Sequence, residues 1–163
     1  MGATYPKTRQ HLQTARPVLP TDAPLESNVR TFVDRFFGPL VTLFQTPRGR
    51  HVLTILGREI SDPKAASRGV LKTFLDPRAS LLVDDVHALM PSLTKAQVGL
   101  AYNMMTGIAN SVFVQHARAL RLSRGGTKVN DMLKSLPAVI DFVVGGWIRI
   151  HESSVNRRSG SPG

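Results

Sequence analysis

Apolar residues recur at three- and four-residue intervals along most of the chain, and this spacing predicts helices. From about Leu25 to Gln45 they fall on one side, as burial of one helix face requires. Similar patterns cover residues 65–75, 79–90, 94–122 and 130–151. No segment shows the alternation of a strand. The sequence therefore predicts an all-α fold, a bundle of five to six helices.

Residues 47–63, PRGRHVLTILGREISDP, predict one sharply bounded helix. Pro47 suits its first turn, where the missing amide hydrogen costs nothing. Asp62 and Pro63 end it, because proline disfavours helical geometry in the residue before it. Four apolar residues share one face of this helix: Val52, Leu53, Leu56 and Ile60.

The longest predicted helix begins after Thr94 and continues to about Leu122. Thr94 and Gln97 match a capping box, in which the two side chains satisfy free amide donors at the start of a helix. Gly125 and Gly126 follow its end, where glycine is favoured. The last predicted helix begins near Asn130, a good N-cap residue.

The two ends of the chain differ from the helical middle. Residues 1–24 are basic and rich in proline without periodicity, which predicts a flexible arm. Residues 152–163 are small, polar and charged, and we expect a disordered tail there. The helical domain accordingly covers residues 25–151.

Composition and charge narrow the class of protein. The net charge is +10, but no long basic run occurs, so a solvated basic face is favoured over a nucleic-acid footprint. The absence of cysteine excludes disulfides, thiolate catalysis and zinc fingers. The late apolar stretch LPAVIDFVVGGWIRI is too short for a bilayer and contains Asp141. With no signal-peptide pattern at the start, we expect a cytoplasmic protein that does not enter membranes.

Candidate catalytic chemistry is sparse. Asp84, Asp85 and His87 form a cluster, and Asp84 and His87 share a helix face. A metal site needs three or more converging ligands, and no second cluster supplies them. The chain carries no nucleophile elbow, phosphate loop or zinc-protease motif. We therefore predict no metal, no cofactor and no enzyme, with a small helical enzyme using His87 and Asp84 as a remote alternative.

The order of helices resembles the regulatory domain of TetR-family (tetracycline-repressor-like) transcription factors, from about residue 25 to residue 151. The resemblance rests on residues 47–63, the segment DPRASLLVDDV, the helix after Thr94 and the closing PAVIDFVVGGWIR. It implies that the last two long helices pair with their copies in a homodimer, as a four-helix bundle, and that the other helices surround a pocket for a small molecule.

DNA binding in the TetR family comes from an N-terminal helix-turn-helix, and residues 1–24 show no recognition-helix pattern. We therefore expect a ligand-sensing and dimerisation domain without its own DNA-binding head, a truncated regulator by comparison with full-length relatives. It would reach DNA only through a missing helix-turn-helix or a heterodimer partner. The alternative is a helical self-association protein with no small-molecule ligand.

Two sets of residues are candidates for these functions. Bulky or polar residues that interrupt aliphatic faces are candidates for binding an apolar or amphipathic effector. They are Phe74, Met90, Tyr102, Met105, Asn110, Phe113 and Trp147. Apolar residues of the last two long helices are candidates for the dimer interface, where small residues permit close approach. They are Ala101, Ile108, Val112, Ile140, Val143, Val144 and Trp147.

Overall fold

The computed structural model describes residues 22–122 and 133–159, and all regular secondary structure in these residues is helical. The predicted all-α fold is confirmed. Residues 1–21 of the predicted arm, and the predicted start of the last helix near Asn130, lie outside the described residues. The elements are α1 (Leu25–Phe44), α2 (Pro47–Ser61), α3 (Ala65–Arg68), a π-helical segment (Leu71–Leu75), α4 (Asp76–Leu89), α5 (Lys95–Phe113), α6 (His116–Leu122) and α7 (Leu136–Ser159).

Helix α1 lies at the centre, and α2, α4, α5 and α7 all pack against it. Phe32 of α1 meets Trp147 of α7 edge-on, with ring centroids 5.8 Å apart. Phe44 meets Phe113 of α5 with centroids 5.5 Å apart. Helices α5 and α7 therefore both pack against α1. Its buried apolar residues are Val29, Phe32, Val33, Phe37 and Phe44.

Helix α2 begins and ends where its sequence predicts. The hydroxyl oxygen of Thr46 accepts a hydrogen bond from the amide of Gly49 at 3.0 Å, which caps the helix. Pro47 occupies the first turn, and the helix ends at Ser61, directly before the Asp-Pro pair. The prediction of a sharply bounded helix over these residues is confirmed.

The single helix predicted over residues 65–75 is two separate elements. Helix α3 ends at Arg68 because Gly69 takes a left-handed φ of 69°. The π-helical segment then leads into α4, with the amide of Asp76 bonded to the carbonyl of Leu71 five residues earlier. Pro77 gives a physical reason for the wide turn, because it has no amide hydrogen for the usual bond four residues back.

The capping box at the start of α5 is confirmed. The amide of Thr94 donates to Gln97 Oε1 at 2.8 Å, and Thr94 Oγ1 accepts from the amide of Gln97 at 3.2 Å. Both side chains therefore satisfy donors that the first helical turn leaves free.

The helix predicted over residues 94–122 divides after Phe113. The amides of Val114 and Gln115 both donate to the carbonyl of Asn110, at 2.9 and 3.1 Å, which closes α5. Helix α6 then begins at His116. Apolar spacing continues through this junction, so the hydrophobic pattern alone could not reveal the break.

The last helix extends to Ser159, eight residues beyond the end predicted at His151. The predicted disordered tail of residues 152–163 is thus corrected over residues 152–159. Ser154 is buried and accepts a hydrogen bond from Gln97 Nε2 at 3.4 Å, while Ser92 Oγ and His151 Nδ1 are 2.7 Å apart. These contacts hold the end of α7 against the start of α5.

Candidate functional site

Helix α5 presents three faces with different surroundings, and they organise the candidate sites. The inner face packs in the core. A side face carries Tyr102, Thr106 and Asn110, spaced four residues apart and half-buried. The outer face is exposed and carries Leu100 and Met104, with Gly107 and Ser111 in line below them. Of the predicted ligand residues on α5, Met105 and Phe113 lie on the inner face, and Tyr102 and Asn110 lie on the side face.

Four of the predicted ligand residues pack inside the chain. Met90, Met105, Phe113 and Trp147 are all buried in one hydrophobic cluster with α1. They line neither of the two surface grooves described below. These residues therefore stabilise the core of a single chain. The side chain of Phe74 lies outside the described part of the chain.

Tyr102 lies at the edge of this core, beside the beginning of α4. Its ring meets Phe36 edge-on, with centroids 5.8 Å apart. Burial raises the pKa of its phenol, against a hydrogen bond with the Thr106 side chain and the charge of Arg78, which both lower it. The charge of Asp76 adds to the rise in the Tyr102 pKa. Tyr102 is thus a neutral phenol with polar groups of α4 close by.

An open groove of about 330 Å³ runs along one face of α4. Ala79 and Val83 supply its apolar surface, while Asp76, Ser80 and Asp84 supply its polar surface. Ala79, Leu82 and Val83 of this part of α4 are half-buried, and Val86 is the fully buried residue of the helix. The groove has the volume of a small ligand site but remains open to solvent.

A second open groove, of about 470 Å³, lies between α1 and α7. Its charged residues are largely paired with one another. Arg30 Nη2 lies 2.7 Å from Asp141 Oδ1, and Arg149 Nη1 lies 3.4 Å from Glu152 Oε2. Since these arginines already have carboxylate partners, the groove offers little to bind a further charged group.

The predicted dimer residues are mostly on the inner faces of α5 and α7. Ala101, Val112, Val143, Val144 and Trp147 are buried within one chain. Ile108 and Ile140 are half-buried against the same core. The residues predicted for the dimer interface therefore pack against the core of their own chain. A broad apolar face does not itself tell which part meets the chain's own core.

The exposed apolar residues of α5 and α7 form two outer stripes. On α5 the stripe comprises Ala96, Leu100, Met104, Gly107 and Ser111, and on α7 it comprises Ala138, Phe142, Gly145 and Gly146. Leu100 is 63% exposed, Met104 57% and Phe142 72%. A Cβ atom added to any of these three glycines would meet nothing within 4 Å. The sequence analysis missed Leu100, Met104 and Phe142.

The outer stripes have a sequence signal that could have identified them. The chain contains no Asp, Glu, Lys or Arg between Lys95 and Arg118, although charged residues make up 20% of it. An exposed helix face in a soluble monomer normally carries charge. A long uncharged segment that also leaves leucine and methionine exposed indicates an interface.

The Asp84–His87 pair does not build a metal site. Asp84 Oδ1 instead lies 3.1 Å from Lys95 Nζ at the start of α5. Among residues 22–122 and 133–159, no three side chains of the metal-binding types come together. In the same residues, no helix is both long enough and apolar enough to cross a bilayer.

The fold is an all-helical domain with two exposed apolar stripes on α5 and α7. Residues 34–146 match the family model of the tetracyclin repressor-like, C-terminal domain, so the chain belongs to this family. Domains of the family serve regulators in ligand binding and dimerisation, and they are not enzymes. No curated protein and no solved structure matches the chain.

Proposed function

We propose that the chain is the ligand-sensing and dimerisation domain of a TetR-like transcriptional regulator, and that it forms a homodimer through the outer stripes of α5 and α7. The family supports the general role. The observation that carries the specific proposal is the pair of exposed, uncharged stripes that no other part of the described chain covers.

Glycines in the outer stripes support a close approach by a second helix. A glycine within a helix costs about 1 kcal/mol relative to alanine. Gly107, Gly145 and Gly146 are exposed, and an added Cβ would meet open space at each. Packing among residues 22–122 and 133–159 therefore gives no reason for them. A partner helix that approaches the backbone does give one.

The charge of the chain favours the same surface. Two copies with a net charge of +10 repel each other, so they can associate only where the facing surfaces carry little charge. The outer stripe of α5 has none, and Asp141 beside the α7 stripe is paired with Arg30. Salt screens this repulsion. Raising the salt concentration from about 0.05 to 0.5 M should therefore lower the Kd of the dimer.

We place the effector beside Tyr102, where α4 leaves its apolar side half-buried. In the open groove on α4, Ala79 and Val83 supply apolar surface, while Asp76, Ser80 and Asp84 supply polar groups. The charges of Asp76 and Arg78 act on the Tyr102 phenol, which relates Tyr102 to the start of this groove. Such a surface suits a small apolar or amphipathic molecule with one or two hydrogen-bonding groups. A ligand that fits one position of α4 better than another would shift the population of that conformation.

A self-association protein with no ligand is the second candidate. The packing of Met90, Met105, Phe113 and Trp147 favours it, because these four residues fill the interior where a pocket was predicted. Both candidates use the outer stripes. They differ in whether a small molecule stabilises the chain.

Sedimentation equilibrium of the unmodified chain and of Phe142→Asp tests the dimer. We expect a dimer that Phe142→Asp converts to a folded monomer, because a carboxylate would be buried without a partner in each copy. Leu100→Asp should do the same. Ile55→Asp is the matched control, since Ile55 is 54% exposed but lies on α2, away from both stripes. A monomeric unmodified chain, or equal effects of Ile55→Asp and Phe142→Asp, would contradict the proposal.

A thermal-shift screen with apolar and amphipathic compounds, including 1-anilinonaphthalene-8-sulfonate, tests the effector site. A ligand at a hundred times its Kd adds about 2.7 kcal/mol to the free energy of unfolding. Val83→Trp should fill the groove and remove the shift, whereas Leu81→Trp, at an exposed position of α4, should keep it. If no compound raises the melting temperature, the result favours the self-association protein with no ligand.

A further inference from the structure

Asn110 makes a close contact between α2 and α5 that differs from the rest of the core. A Cβ atom added to Gly57 would lie 2.3 Å from Asn110 Oδ1 and 2.9 Å from a methyl group of Val114. Only glycine fits at this position of α2 without a shift of the neighbours. The Asn110 Nδ2 group also donates to Ser61 Oγ, one turn further along α2, at 3.3 Å.

The contact is tight but leaves a polar atom unsatisfied. Asn110 Oδ1 is buried and has no hydrogen-bond partner. It faces the Gly57 backbone, where a Cα–H group is at best a weak donor. Turning the amide over would place Nδ2 there instead, again without a strong partner. A buried polar atom in this state calls for an explanation, because a well-packed apolar residue would fill the same place without it.

A small displacement of α2 would change this arrangement. If Gly57 moved away, water or the Ser61 hydroxyl could reach Asn110 Oδ1 and satisfy it. The contact can therefore take two arrangements, the closely packed one of this structure and a better hydrogen-bonded one in which Gly57 lies further from Asn110. A packed element with two discrete arrangements is what coupling between distant parts of a protein requires.

The position of Asn110 along α5 relates this contact to the other two faces. It is two turns beyond Tyr102 on the side face, and Gly107 and Ser111 of the outer stripe lie within one turn of it. A force that α2 applies at Asn110 therefore acts on the part of α5 that carries the proposed interface.

We propose that Asn110, held between Gly57 and Ser61, is a positioning residue that transmits the position of α2 to the dimer face of α5. The proposal rests on the proposed homodimer. It assigns Asn110, predicted from sequence as a ligand-binding residue, to the coupling between the two helices.

The test is the dimer Kd of Ser61→Ala, Gly57→Ala and the double variant Gly57→Ala/Asn110→Ala, measured by sedimentation equilibrium. We expect Gly57→Ala to raise Kd about tenfold, because α2 and α5 must separate. The double variant should recover most of that change, since the atom that the new methyl group strikes is gone. Ser61 is exposed, so the Ser61→Ala variant should fold in any case. It should raise the dimer Kd about threefold.

Gly38→Ala is the control, because an added Cβ there meets nothing within 4 Å. It should leave Kd unchanged. A purely structural role for Asn110 predicts lower melting temperatures with the Kd of the unmodified chain in all variants, and that result overturns the proposal. If the unmodified chain is monomeric, the proposed homodimer fails and the coupling fails with it. A dimer that none of the variants weakens rejects the coupling alone.

Discussion

Helices α2 and α7 each carry two glycines, and the two pairs have opposite surroundings. A Cβ added to Gly49 would lie 1.9 Å from the carbonyl oxygen of Leu43, and one added to Gly57 would strike Asn110. One added to Gly145 or Gly146 would meet nothing within 4 Å. Glycine permits close approach in both helices, but the approaching neighbour of α2 belongs to the same chain. Among the described residues, none approaches the side of α7 that carries Gly145 and Gly146.

Gly49→Ala should have the largest effect on stability. The obstructing atoms are the backbone of Leu43, which cannot rotate away as a side chain does. We expect the free energy of unfolding to fall by about 3 kcal/mol, the upper range for overpacking. Urea unfolding followed by circular dichroism measures it.

Gly38→Ala is the matched control for Gly49→Ala, since it makes the same chemical change at an open position of α1. A loss below about 0.5 kcal/mol for Gly49→Ala, the range of ordinary surface substitutions, would show that the start of α2 adjusts freely. The close neighbours of the α2 glycines would then not require glycine, and the contrast with the α7 glycines would fail.

Gly57→Ala should cost less than Gly49→Ala. Its obstructing atoms belong to the side chains of Asn110 and Val114, which can shift. We expect a loss of about 1.5 kcal/mol in urea unfolding, in the middle of the overpacking range. Adding Asn110→Ala should restore less than the whole loss, because Val114 still has to move. Equal losses at positions 49 and 57 would show that backbone and side-chain obstructions do not differ here.

Gly146→Ala should have the opposite sign in a monomer. Measured in the Phe142→Asp background, the substitution should raise the free energy of unfolding by about 0.7 kcal/mol, because alanine is the better helix former. In the unmodified background it should weaken the dimer. Destabilisation of the monomer would reveal a close neighbour of Gly146 within the same chain. It would contradict the open surroundings assigned to the α7 glycines.

The smallest effect concerns the ion pairs that follow α2. The Lys64 amide, and then Arg68, hold the pKa of Asp62 below its ordinary value. Because the folded pKa is lowered, Asp62 contributes stability above its unfolded pKa and loses it as the pH falls through the folded pKa. Asp62→Asn should therefore slightly reduce the acid sensitivity of the urea midpoint. If the urea midpoint of Asp62→Asn falls with decreasing pH as it does in the unmodified chain, the exposed Asp62–Arg68 pair contributes no measurable stability.

The sequence predicted those features that depend on local chemistry. Pro47, the capping residue Thr94 and the Asp-Pro pair after Ser61 act within a few residues of themselves, so the limits of α2 and the start of α5 could be derived. The end of α7 could not. Its last turns are helical where Ser154 meets Gln97 and His151 meets Ser92, contacts between residues far apart in the chain.

The hydrophobic pattern could not assign the residues of α5 to separate surroundings, for a related reason. Helix α5 is apolar on most of its circumference, and periodicity identified the apolar positions without dividing them among core, ligand and partner. Met105 and Met104 are adjacent in sequence, yet Met105 is buried and Met104 is 57% exposed. The distribution of charge was the more informative signal, because a helix that carries no charge after its first residue, Lys95, lacks the charged face of an ordinary solvated helix.

The lack of charge along α5 also affects how the molecule meets proteases. Trypsin cuts after lysine and arginine, and the chain offers it no site from Ala96 to Ala117. Opening of α5 is therefore invisible to limited trypsin digestion, whereas α2, with Arg48, Arg50 and Arg58, reports its own opening directly. Complete digestion should instead release one peptide, Ala96 to Arg118, that contains all three faces of α5. After labelling with a reagent that reacts with exposed carbon atoms, the labelled residues of α5 can be identified within this single peptide.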